Sequence, residues 1–227
     1  MRKTTDPCEV VAVGWSRQGV RLPFTDRAEA GRLLAEQVVP LRLADPLVLA
    51  LPRGGVPVAR EIASRLDAPL DVLVTRKIGC PSQPELGVGA IAEGGEPVFD
   101  TDLMRRVGLT WEDLEETVRR ERTELARRVA AYRGDRALPR LKGRDVVVVD
   151  DGLATGGTAR AALAAVRAGE PRRVVLAVPV GAAQTVKALA GDADEIVVLA
   201  APWTFRAVGQ WYVRFDQLSD DDVQRLL

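Results

Sequence analysis

Five stretches of the chain are apolar with little or no polar alternation: residues 47–51, 69–74, 146–149, 173–180 and 195–199. Runs of that length and type are what strands look like when a parallel sheet buries both of their faces. Segments with helical spacing lie between them. Thr25 or Asp26 caps a helix whose apolar face is Ala28, Gly31, Leu33, Leu34, Val38 and Leu41, stopped by Pro40 and Pro46. Further helices are expected from residue 57 to about Leu66, over 159–168 ahead of Gly169 and Pro171, over 182–189, and over 216–227. Strand and helix in alternation predict an α/β fold, a single doubly wound and mainly parallel sheet flanked by helices.

Three regions depart from this alternation. Residues 8–22 look like a short hairpin around the turn at 16–19. Residues 78–95 are rich in Gly, Pro, Ser and Gln and suggest an irregular lid, with a hairpin pairing 88–92 and 97–99 around Gly94 and Gly95. Thr110-Trp-Glu-Asp opens a long helix with an apolar stripe at Trp111, Leu114, Val118, Leu125, Val129 and Tyr132 and arginine and glutamate elsewhere, a packed and solvated helix. The expectation is one domain over 1–227. Its core covers about 25–199, with lid and helical insertion about 76–135 and a C-terminal arm about 200–227.

The chemistry gathers where strands end. After the valines at 146–149 come Asp150 and Asp151, then Gly152, Leu153, Ala154, Thr155, Gly156, Gly157 and Thr158, then a helix. A glycine-rich loop opening a helix offers backbone N–H groups and a positive dipole end to phosphate. Thr155 and Thr158 add hydroxyl donors. Two carboxylates repel phosphate but suit a diol or a cation, so loop and acids together describe a sugar phosphate. Strand 47–51 likewise runs into Pro52-Arg53-Gly54-Gly55 and a helix, and strand 69–74 ends in Arg76 and Lys77. Ligands bind at the carboxyl ends of strands in open α/β sheets.

The segment 146–158 resembles the phosphoribosyl-diphosphate (PRPP) motif of the type I phosphoribosyltransferases, and 153–157 is closest to the uracil version. The resemblance covers roughly residues 25–199. It implies PRPP binding at Asp150, Asp151, Gly152, Ala154, Thr155, Gly156, Gly157 and Thr158. It implies diphosphate binding at Arg53, Gly54 and Gly55, in a loop that often carries an unusual peptide bond. Arg53, Arg76 and Lys77 become the catalytic cations that offset charge on the leaving diphosphate. The cofactor is Mg²⁺, held mainly through the substrate, with Asp150 and Asp151 as candidate oxygen ligands. The long helix is an insertion relative to the smallest members, and the lid closes over the substrates. The arm carries Trp203, Phe205, Trp211, Tyr212 and Phe215; about half of these are expected to pack on the core, while the resemblance implies that the segment shapes a hood over the acceptor base on which one or two of them stack. The implied activity is transfer of phosphoribose to a nitrogenous acceptor. Purine-type members carry an acidic residue three positions after the acidic pair; here Ala154 stands there, so hypoxanthine and guanine are not the expected acceptors.

Composition narrows the partners. The 227 residues carry 32 basic and 32 acidic side chains, so nothing suggests nucleic acid or an anionic membrane. No apolar run approaches a membrane span, and the start lacks a signal-type apolar region, so a cytoplasmic location is expected. Cys8 and Cys80 are too few for a disulfide framework, and Cys80 is taken as an incidental thiol. There is no histidine, which removes the Ser-His-Asp triad and most zinc sites. The expected partners are small molecules, PRPP and an acceptor base or amine, and a second copy of the chain in a homodimer. A PRPP-binding regulatory protein without transferase activity remains the alternative. A phosphate-binding hydrolase lacks a nucleophile or metal cluster to support it.

Overall fold

A computed structural model describes residues 20–227. The hairpin expected at 8–22 lies outside them, apart from residues 20–22, which form no strand. The described chain begins with α1 (Arg27–Val38), capped by Asp26, whose carboxylate accepts from the Glu29 N–H at 2.9 Å. It continues through β1 (Pro46–Ala50), α2 (Gly55–Leu66) and β2 (Leu70–Val72). After an inserted region come β6 (Asp145–Val149), α5 (Gly157–Ala168), β7 (Arg173–Val180), α6 (Ala183–Ala188), β8 (Glu195–Ala200) and α7 (Asp220–Leu226).

The five apolar runs form one parallel sheet in the order β2-β1-β6-β7-β8. Helices cover both faces, which is why the strands read as continuous apolar runs. Alternate strand residues divide between two cores. Val48, Ala50, Val147, Val149, Val175 and Ala177 pack with α1 and α2. Leu47, Leu49, Val146, Val148, Leu176 and Val178 pack with Ala162, Leu163 and Val166 of α5.

The chain runs from β1 outward to β2, then returns to the other side of β1 as β6. That reversal opens a crevice at the carboxyl ends of β1 and β6. Ala50 is in register with Val149, so Pro52–Gly54 and Asp150–Asp151 leave the sheet side by side.

The inserted region differs from expectation. Where a loose lid was anticipated, Thr75–Cys80 (β3), Gln83–Ala92 (β4) and Val98–Phe99 (β5) make an antiparallel sheet. The expected pairing of 88–92 with 97–99 is present as Gly89 opposite Phe99 and Ala90 opposite Val98. This small sheet is held from two sides. Ile78, Val88 and Ile91 pack on Leu114 and Val118, while Ala90 and Ala92 pack on Ala161 of α5. A short helix, α3 (Thr101–Val107), follows. The long helix α4 (Glu115–Arg133) begins later than its expected start, after a 3₁₀ turn at Glu112–Leu114.

Candidate active site

The loop after β6 keeps its phosphate-ready form. Gly156 has φ +78°, a left-handed conformation that suits glycine, and a Cβ there would also meet Thr185 Cγ2 at 2.6 Å. Thr185 Oγ1 donates to the Ala154 carbonyl at 2.6 Å, so α6 braces the loop from behind. The backbone N–H groups of residues 155–158 have no hydrogen-bond partner among the described residues. They open α5, and Thr155, Gly157 and Thr158 line a cavity of about 120 Å³. Its far wall is the antiparallel sheet, with Lys77, Gly89, Phe99 and Asp100.

Only half of the expected basic pair reaches this cavity. Neighbouring residues on a strand point to opposite faces. Lys77 faces the loop, its Nζ donating to the Glu85 carbonyl at 3.1 Å. Arg76 turns to α4 instead and pairs with Glu121 at 2.7 Å. The cavity does not include Arg76, whose charge is matched by a carboxylate that is itself mostly buried.

The acidic pair sits deeper. Asp151 Oδ2 accepts from Arg27 Nε at 2.8 Å, with both side chains about nine-tenths buried. Asp150 accepts the Asp151 N–H at 2.8 Å and has no ion-pair partner among the described residues. Burial and the neighbouring Asp151 charge push the Asp150 carboxyl well above the usual range. Burial also raises Asp151, with the Arg27 guanidinium pulling the other way. Tyr212 donates its hydroxyl to the Asp151 carbonyl at 2.6 Å, and burial raises its proton affinity.

The loop after β1 touches the same carboxylate. Gly54 lies so close to Asp151 that any Cβ there would collide with its Oδ2. The Pro52–Arg53 peptide is cis. Arg53 is half-buried and has no ion pair among the described residues. Beside it, Tyr132 of α4 donates to Asp220 of α7 at 2.6 Å; burial, then that carboxylate, pushes its hydroxyl up to about 12.

Residues 53–55, 77, 150–152 and 154–158 thus gather at one sheet edge. Sequence reasoning missed Arg27, and no motif surrounds it. It is the first residue of α1, and only the tertiary fold carries it to Asp151. Glu93, just after β4, is tied to the buried Arg133. Most of the arm's aromatics serve packing. Tyr212 is buried against Phe24 and stacks on Phe215 at 5.2 Å, and Phe205 lies on Trp211. Trp203 is the most exposed of them, at 81%.

Fold and site together define an α/β protein with an open helix start beside a buried acidic pair, at the switch point of a parallel sheet. The phosphoribosyl transferase domain model matches residues 27–209, and the chain belongs to that family. Two proteins of Mycobacterium tuberculosis (strains CDC 1551 / Oshkosh and H37Rv), each named "Putative phosphoribosyl transferase", are 50% identical over 204 residues. That is 90% of this chain and 46% of theirs, so the chain spans about half the length of these curated relatives. The crystal structure of TT1426 from Thermus thermophilus is 47% identical, with TM-score 0.76, covering 89% of this chain and 96% of that one. Among the described residues no helix is long and apolar enough to cross a membrane.

Proposed function

We propose that the chain transfers phosphoribose from PRPP, with Mg²⁺, to a nitrogenous acceptor and releases diphosphate. The carrying observation is the side-by-side exit of the Arg53–Gly55 and Asp150–Asp151 segments, beside an open helix start whose N–H groups face a cavity. In this reading residues 155–158 hold the 5-phosphate, and Asp150 and Asp151 accept from the ribose hydroxyls. Arg53, with the Gly54–Gly55 backbone, receives the diphosphate, and Lys77 supplies a second cation across the cavity. Arg76 fixes β3 to α4 rather than touching substrate.

The site fits a substrate-carried metal. Asp150, which has no ion pair among the described residues, offers the hard oxygen that Mg²⁺ prefers, and Asp151 offers another. Bound Mg²⁺ would offset charge on the departing diphosphate.

The acceptor is one that needs no carboxylate base at position 154. Two glutamates of the inserted region, Glu85 and Glu93, do not stand in for it. Glu93 is engaged by Arg133, and Glu85 is 97% exposed at its side chain beside Lys77. A positioned base contributes about 10²–10⁴ in rate. The test is diphosphate release at saturating PRPP and Mg²⁺ with hypoxanthine, guanine, uracil, orotate and ammonia side by side. Turnover is expected with a pyrimidine, acidic or amine acceptor. Efficient use of hypoxanthine or guanine alone would overturn the acceptor assignment. PRPP binding without turnover of any acceptor would favour the regulatory alternative.

A further inference from the structure

Arg27 is the one cation paired with the acidic pair among the described residues, and it is held in place from several sides. Its guanidinium carbon lies 3.8 Å from the centroid of the Phe215 ring. Its NH1 donates to the Asp216 carbonyl at 3.0 Å. Phe215 stacks on Tyr212, which donates to the Asp151 backbone carbonyl. The arm therefore grips both Asp151 and the arginine that neutralises it. On its other side, the Asp151 carboxylate occupies the space where a side chain on Gly54 would be. A chain of contacts runs from the arm through Arg27 and Asp151 to the loop that carries Arg53.

We propose that Arg27 is a positioning residue for PRPP, holding the Asp151 carboxylate aimed before the substrate arrives and coupling it to the C-terminal arm. This rests on the proposed PRPP site. A guanidinium that lies on an aromatic face and donates to one carboxylate oxygen limits the rotamers that carboxylate can take. The Nε contact leaves Asp151 Oδ1 outside the ion pair, so the carboxylate retains an acceptor for a ribose hydroxyl while it is paired. Asp150, which has no such partner among the described residues, accepts the Asp151 N–H, so fixing Asp151 also fixes its neighbour.

The test compares the unaltered protein with Arg27→Gln, Arg27→Lys and Phe215→Leu. PRPP affinity is measured by calorimetry with Mg²⁺ present, and the thermal midpoint of each variant is recorded. The expected result is a loss of tenfold or more in PRPP affinity for Arg27→Gln, partial recovery in Arg27→Lys, and a smaller loss in Phe215→Leu, with each variant still folded at the assay temperature. Arg27→Gln within twofold of the unaltered protein overturns the proposal. So does an equal loss in Arg27→Lys and Arg27→Gln, because the ion pair to Asp151 would then contribute nothing to PRPP binding. Should Arg27→Gln not fold, Arg27→Lys and Phe215→Leu decide: affinity unchanged in both overturns it, and a graded loss supports it. An unaltered protein that does not bind PRPP defeats the proposed function and this inference with it, whereas normal binding with indifferent variants defeats this inference alone.

Discussion

At the scale of single residues, Gly54 gives the sharpest consequence. Its missing side chain is what allows the Asp151 carboxylate to lie against the loop after β1. Gly54→Ala must push either the carboxylate or the loop aside. It is expected to cost PRPP affinity by about 1.5–3 kcal/mol, the worth of one charged hydrogen bond, while leaving the denaturation midpoint little changed. Titration calorimetry beside a urea melt checks both halves. The glycine itself was visible in the sequence, because glycine after a buried strand and before a helix has few other uses. Its neighbour was not. Arg27 stands among the many arginines of a chain in which they far outnumber lysines, and nothing local distinguishes it. Arg76 and Lys77 show the converse: the pair was legible as cations, but strand alternation sent one of them to Glu121.

Among elements, the parallel sheet was almost fully legible, since burial on both faces writes each strand as an apolar run. Its boundaries agree within two residues for β1, β2, β6, β7 and β8. The sheet of β3, β4 and β5 was less so. Its glycines and prolines hid the strands, whose partners are side chains of α4 and α5 supplied by tertiary packing. What fixes α4 is Arg133, whose side chain is fully buried between Asp71 and Glu93 and donates to the Val72 carbonyl at 2.9 Å. Arg133→Met leaves two carboxylates without their cation and is expected to destabilise the protein by about 3–5 kcal/mol, read from chemical denaturation. The outer face of α4 behaves differently. Glu124 sits between Arg127 and Arg128, and hydrogen bonds from Arg127 first, then Arg128, pull its carboxyl down from 4.5 to about 2. A carboxyl lowered on folding contributes stability above its unfolded value, here near 4.5, and loses that contribution as pH falls through about 2. Glu124→Gln should therefore flatten the acid limb of the stability curve in that window. Because the pair is partly exposed, the change is expected to stay under about 1 kcal/mol. Stability measured from pH 6 down to pH 2 would show a parallel limb if the pair contributes nothing.

Taken as a whole, the molecule brings two distant stretches of chain together over the acidic pair. Phe24 donates its N–H to the Trp211 carbonyl at 2.8 Å, and the Val213 N–H returns to the Phe24 carbonyl at 2.7 Å. Phe24 is 1% exposed. The sequence marked both stretches, one as a helix start and the other as an aromatic arm, but a pairing across almost the full described length leaves no local pattern to read. It also sets an order of assembly on the ribosome. Arg27 and Asp216 are 189 residues apart, so at the roughly 5–20 residues made per second the first precedes the second by roughly 10–40 s. Only in the last third of that interval, once Asp150, Asp151 and the loop after them have been made, can the phosphate-ready loop form while the carboxylates lie open to water. The pocket of a nascent chain is thus roofed only when the arm has been made and threaded back to where the described chain began.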